Sequence, residues 1–207
     1  MRGMRCLGVL FLVAGLVVPG VSAQEKAAFF NGKDLTGWEG HEANWKVVDG
    51  AIVGVTDGNL KANTFLCSKA KYGDFELSFQ VRLKDGVGNS GVQIRSEVFD
   101  AKDFRVKGAQ VDIGAGYWGS LYGEGIGGMM KQSPTEAVKK VVKDKDFNEF
   151  HVRCVGKKVT IKVNGEAMVD GEFEKMADTG IIAFQAHTGK AMEVTYKDVK
   201  FTDLSKK

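Results

Sequence analysis

The sequence predicts an all-β protein built as an antiparallel sandwich of two sheets. Apolar and polar residues alternate with a period of two along most of the chain, and apolar residues at helical spacing are almost missing. Glycine is abundant, at 27 of 207 residues, against only two prolines. That composition suits many strands joined by tight turns.

The first residues stand apart from this pattern. Arg2 and Arg5 precede an apolar stretch from Leu7 to Val18, and Val21-Ser22-Ala23 supplies the small residues a signal peptidase accepts. Residues 1–23 therefore read as a secretory signal peptide, and 24–207 as a single β-sandwich domain exported to the periplasm or beyond. The apolar stretch is shorter than the roughly 20 residues that span a bilayer, and no later segment is apolar enough, so no membrane insertion is expected. Without the leader, 27 basic residues face 26 acidic ones with the signs interspersed. Such a balance gives no footprint for phosphate neutralisation, and nucleic acid is not an expected partner. The oligomeric state is not encoded in any pattern here. Cys67 and Cys154 are the cysteines left after the leader. Cys154 continues the inward set of Phe150 and Val152, which favours buried free thiols over a bridge between the two.

The strands follow in order. Trp38 and Trp45 sit in early strand or turn contexts and read as packing residues. Phe75, Leu77, Phe79, Val81 and Leu83 alternate with polar residues, giving a long strand with one buried face, and Asp85-Gly86 turns the chain. Val92 and Ile94 alternate with Gln93, Arg95 and Glu97, and Val111 and Ile113 with Gln110 and Asp112. Val152 and Cys154 lead to Val159, Ile161 and Val163, after which Asn164-Gly165 signals a hairpin. Ile182 and Phe184 alternate with Gln185 and His187. A last run holds Val194, Tyr196, Val199 and Phe201, with a phase slip at Lys197-Asp198 that suggests a bulge. The stretch from Gly114 to Lys145 reads as a long loop with a short helix, a candidate wall or lid for a site.

Several motifs are absent or misplaced. Gly123 to Gly128 satisfies GxGxxG, yet neither the following helix nor the distant acidic residue of a dinucleotide site is present. There is no GxSxG elbow and no HExxH pair. The informative signal is the polar faces of the strands. Gln93, Arg95, Glu97, Gln110, Asp112, Gln185 and His187 are amides, carboxylates, an arginine and a histidine, which orient sugar hydroxyls and titrate. An ordinary wet face would carry residues such as Thr160 and Lys162. Tyr117, Trp118 and Tyr122 follow Asp112 and offer aromatic faces for stacking on pyranose rings.

The segments FFNGKDLTGW, WKVVDGAIVG, NTFLCSKAKYGDFELSFQVRL, GNSGVQIRSE, GAQVDIGAGYWGSLYGEG, FNEFHVRCVGKKVTIKVNG and GIIAFQAHTG, in this order, resemble the 3-keto-disaccharide hydrolase family. The resemblance covers nearly all of the chain after the leader, with Phe147-Asn148 where many members have Trp-Asn. It implies a concanavalin A-like jelly-roll sandwich, secreted by bacteria, that acts on glycosides carrying a ketone at carbon 3. A small-molecule carbohydrate is then the expected partner. That chemistry needs a base, a donor for the enolate oxygen and an acid for the leaving oxygen.

His187 is the candidate base, since imidazole titrates near neutral pH and the alternation points it away from the core. Arg95 is the candidate for the enolate, while Glu97, Asp112 and Glu124 compete for the acid role. Gln93, Gln110, Trp118, Tyr122, Glu124 and Gln185 complete the expected sugar-binding set. No cofactor is expected, although the carboxylates leave room for a divalent cation such as calcium. The alternatives are a carbohydrate-binding module without catalysis and a conventional two-carboxylate glycosidase.

Overall fold

A computed structural model describes residues 28–205; the leader read at 1–23 lies outside them. The described residues open with four short strands, β1 (Trp38–Glu39), β2 (Trp45–Val48), β3 (Ala51–Thr56) and β4 (Thr64–Ser68), followed by the long β5 (Phe75–Leu83). After a 3₁₀ turn at Lys84–Gly86 come β6 (Asn89–Asp100) and β7 (Arg105–Gly114), then β8 (Leu121–Glu124), β9 (Gly128–Lys131) and helix α1 (Thr135–Val141). A meander of β10 (Asn148–Val155), β11 (Lys158–Val163) and β12 (Glu166–Glu172) precedes β13 (Ile181–Ala186) and β14 (Met192–Asp203).

These strands form two seven-stranded sheets, ordered β1-β4-β13-β6-β7-β8-β9 and β12-β11-β10-β5-β14-β3-β2. The two sheets pack face to face as a jelly-roll sandwich. Alternate residues of β5 are buried, as its sequence requires. Their register puts Phe79 opposite Phe150 of β10, where the two rings stack at 5.2 Å. Tyr196 of β14 adds an edge contact to Phe79 at 5.7 Å and crosses the core to Phe184 of β13, 4.6 Å between centroids. Its hydroxyl lies 2.6 Å from Ser90 Oγ, which donates to the Gln185 carbonyl at 2.6 Å. The buried Tyr196 hydroxyl therefore ties the two sheets together rather than standing unpaired.

Trp38 and Trp45 are buried. Asn164 and Gly165 both take positive φ in the β11–β12 turn, and β14 changes register after Lys197, with Asp198 at φ 53°. Cys67 and Cys154 are free and buried. They belong to different apolar clusters: Cys154 lies between the sheets, and Cys67 in a small group with Phe65, Val106, Ile181 and Ala183. Burial pushes each thiol up to about 12, so neither is nucleophilic near neutral pH.

Three expectations change. The stretch from Gly114 to Lys145 is not one long loop, because β8 and β9 extend the first sheet and α1 follows them. Both strands are only four residues long and glycine fills apolar positions in them, which erases the alternation a strand is recognised by. The GxGxxG run is the β8–β9 hairpin, with Gly123 paired to Gly128.

Arg95 and Glu97 do not continue the polar face begun by Gln93. Pairing of β6 with β7 shifts register between Ile94 and Glu97, and Arg95 takes φ 47°. This bulge swings the Arg95 side chain to the opposite sheet. There its Nε donates to the Gly73 carbonyl at 2.8 Å, Nη1 to the Gly156 carbonyl at 2.5 Å and Nη2 to Asp74 Oδ1 at 2.8 Å. Glu97 emerges at the surface and pairs with Lys107 at 2.7 Å, a contact that lowers its pKa. Replacing Arg95 by Met leaves two carbonyls without this donor and Asp74 Oδ1 with only the Gly156 N–H at 2.9 Å, so urea denaturation should show a loss of about 2–4 kcal/mol. Glu97→Ala should leave the midpoint unchanged, as a solvated ion pair contributes little.

Candidate functional site

The outer face of the first sheet is built from β4, β13, β6, β7 and β8, and register decides which side chains meet there. Residues directly opposite on antiparallel strands share a face. Ala183, Gln93, Gln110 and Tyr122 form one row across four strands. Phe65 pairs with Gln185, and Gly91 with Asp112, in the next row. Where a typical outer face is wet, this one is buried: Gln93 and Gln185 are fully buried, and Gln110 and Asp112 nearly so.

A cavity of about 620 Å³ opens over these rows, lined by Gln110, Asp112, Tyr122, Glu124, Gln185 and His187 together with Asn63, Asn89, Tyr117, Met129 and Gln132. That size suits a sugar or small glycoside. Among the described residues no Lys or Arg lines it. The charges facing the cavity come from the two carboxylates, an arrangement that favours a neutral polyhydroxyl ligand over an acidic one.

Of the residues singled out in the sequence, seven line this cavity: Gln110, Asp112, Tyr117, Tyr122, Glu124, Gln185 and His187. Gln93 stands one hydrogen bond behind it. Arg95 and Glu97 lie elsewhere for the reason given above. Trp118 is not a stacking platform, since it is 3% exposed and packs in the core against Phe150 at 6.2 Å. The aromatic rings at the cavity are Tyr117 and Tyr122. Asn63, Asn89, Met129 and Gln132 carried no signal in the sequence: Asn89 opens β6 and Met129 lies on β9 opposite Tyr122, while Asn63 is brought in by contacts with Thr188 and Glu124.

Asn63 accepts from the Thr188 N–H at 3.0 Å and donates to Glu124 Oε1 at 3.4 Å. It thereby links the His187 segment to β8. His187 Nδ1 lies 2.6 Å from the Thr188 carbonyl. A carbonyl can only accept, so Nδ1 carries the hydrogen and Nε2 keeps a lone pair in the neutral ring. Gln185 is the anomaly of the site. Its amide is fully buried, yet neither Oε1 nor Nε2 has a hydrogen-bond partner among the described residues. A buried amide without partners costs stability, and a ligand group reaching it would recover that cost.

Asp112 is pushed up to about 6, chiefly by burial; a hydrogen bond from Gln110 works against the rise and the neighbouring Glu124 charge adds to it. The carboxyl therefore exchanges its proton near neutral pH. Among the described residues no group of three or more His, Cys, Asp or Glu side chains converges to hold a metal ion. No helix among them is long and apolar enough to cross a membrane.

Fold and site together define a lectin-like sandwich of the carbohydrate-active kind. The chain belongs to the family of 3-keto-alpha-glucoside-1,2-lyase-like domains, whose model matches residues 25–202. No curated protein matches it. Among solved structures it is similar to a protein of Parabacteroides distasonis provisionally described as a glycosyl hydrolase, at 21% identity and TM-score 0.64, covering 84% of this chain and 92% of that one. The carbohydrate binding module CBM66 of Bacillus subtilis is similar at 18% identity and TM-score 0.59, with 80% and 94% covered. A β-1,3-1,4-glucanase from a mouse hindgut metagenome is similar at 10% identity and TM-score 0.55, with 81% and 93% covered. At these identities the likeness concerns the fold.

Because the pKa of Asp112 is raised on folding, the folded state binds its proton more tightly than the unfolded chain. Its contribution to stability is then greatest below about pH 4 and is lost as pH rises to about 6. Asp112→Asn removes this dependence. The variant should be more stable than the parent at pH 7 by about 2–3 kcal/mol, and thermal unfolding across pH should show the difference closing toward pH 4.

Proposed function

We propose that the protein is an exported enzyme that cleaves the glycosidic bond of neutral 3-keto-glycosides, by elimination or by net hydrolysis. The observation that carries this reading is the unpartnered buried amide of Gln185, which lines a cavity shared with Asp112 and His187. Family membership and the leader-like residues 1–23 support it.

A ketone at carbon 3 acidifies the hydrogen on carbon 2. His187 Nε2 takes that proton, and the C–H electron pair passes into the enolate. The Gln185 Nε2–H donates to the oxygen on which charge develops, the role the sequence had suggested for Arg95. Collapse of the enolate forms the double bond between carbons 1 and 2 and breaks the bond from carbon 1 to the leaving oxygen. Asp112 gives that oxygen its proton. The products are the free alcohol and an unsaturated keto-sugar. Addition of water across the new double bond completes a net hydrolysis.

Incubating the protein with a 3-keto-disaccharide and with its unoxidised parent tests the reading. Release of monosaccharide from the keto-sugar only is expected. Cleavage of both at equal rates supports a two-carboxylate glycosidase, and binding without cleavage of either supports a binding module. His187→Ala should lose turnover by about a hundredfold or more, with binding and the thermal transition retained. Near-normal turnover in the folded variant removes His187 as the base.

A further inference from the structure

From the cavity wall inward runs a line of buried polar side chains whose inner members, Ser96 and Gln93, direct sugar contact does not explain. Ser96 Oγ donates to Gln93 Oε1 at 2.7 Å, Gln93 Nε2 donates to Gln110 Oε1 at 2.9 Å, and Gln110 Nε2 donates to Asp112 Oδ1 at 2.8 Å. Ser96, Gln93, Gln110 and Asp112 are each 6% exposed or less. With Asp112 ionised, the direction of every link follows. An ionised carboxylate only accepts, so Gln110 must face it with its NH₂ and present its oxygen to Gln93. Gln93 is oriented the same way, and its oxygen is met by a hydroxyl that can donate. All the donors therefore point toward Asp112, and aligned bonds in a low-dielectric setting polarise one another.

The neighbouring strands leave room for this line. A Cβ at Gly91 would come within 2.5 Å of the Gln110 side chain, and one at Gly108 would collide with Ser96 Oγ. The bulge in β6 supplies the first link, since it turns Arg95 away and puts Ser96 on the face that Arg95 would otherwise occupy.

We propose that Ser96, Gln93 and Gln110 are positioning residues that fix Oδ1 of Asp112 as a hydrogen-bond acceptor and direct the proton it exchanges with the sugar to its other oxygen. The inference rests on the reading of Asp112 as the acid. Oδ1 is engaged by Gln110, so protonation there would set two donors against each other. The other oxygen is left to carry the proton. The relay also favours the charged form and so limits the rise that burial imposes. The titratable groups that line the cavity with Asp112 are Tyr117, Tyr122, Glu124 and His187, and none of them belongs to the relay.

The test is the carboxyl carbon titration of Asp112 by NMR in the full chain, assigned with Asp112→Asn, for the parent, Gln110→Met and Ser96→Ala. The midpoint should rise by about 0.5 pH unit or more in Gln110→Met, which loses the donor outright. A smaller rise is expected in Ser96→Ala, where the residue lies three hydrogen bonds from Asp112 and outside the cavity lining. The alkaline limb of the cleavage profile should move the same way. Midpoints equal to or below the parent's in the folded variants overturn the relay. A thermal transition that falls in Ser96→Ala with an unmoved Asp112 midpoint marks Ser96 as structural and overturns it too. The titration needs no turnover, so shifted midpoints with no keto-sugar cleavage would uphold the relay and retire the functional reading instead.

Discussion

One irregularity in β6 organises both the sandwich and its site. Between Ile94 and Glu97 the strand gains a residue against both of its neighbours: pairing shifts register there toward β7 and toward β13. Regular alternation would have placed Gln93, Arg95 and Glu97 side by side on the outer face. The bulge instead sends the Arg95 guanidinium to the carbonyls of Gly73 and Gly156 and to Asp74, where it ties the end of one sheet to the other. The vacated position goes to Ser96, a small hydroxyl. No Lys or Arg lines the cavity among the described residues, and burial keeps Asp112 able to carry a proton near neutral pH.

The site follows from placing amides where a sandwich normally meets water. Gln93 and Gln110 satisfy each other, and Asp112 ends their line. Gln185 is left with an unpartnered amide in the same wall, while its backbone carbonyl is pinned from below by Ser90, next to the Tyr196 hydroxyl. The amide is thus held by packing rather than by its own hydrogen bonds. A rigid donor and acceptor awaiting partners is a costly feature for a fold and a useful one for recognition.

Much of the fold was legible because alternation reports burial directly. Phe75 to Leu83 has a buried residue at every second position, and Asn164-Gly165 makes its turn. The cavity residues Gln110, Asp112, Gln185 and His187 stood out because amides, a carboxylate and a histidine replaced the usual lysine and threonine on an outward face. Arg95 and Glu97 were misplaced because a bulge changes the phase without changing the letters. Trp118 illustrates a different loss, since an aromatic after a strand serves a core or a sugar equally well and only packing against Phe150 decides. Asn63 was invisible for a third reason. Its two partners are Thr188 and Glu124, both far away in sequence.

In the proposed site the Gln185 amide receives the keto-sugar. The most direct measurement is the side-chain amide resonance of Gln185 during titration of the full chain with a 3-keto-glucoside. A shift that saturates in step with the His187 ring signals is expected, as one ligand engages both groups. A Gln185 resonance unmoved at saturation, with shifts confined to another part of the molecule, would contradict it.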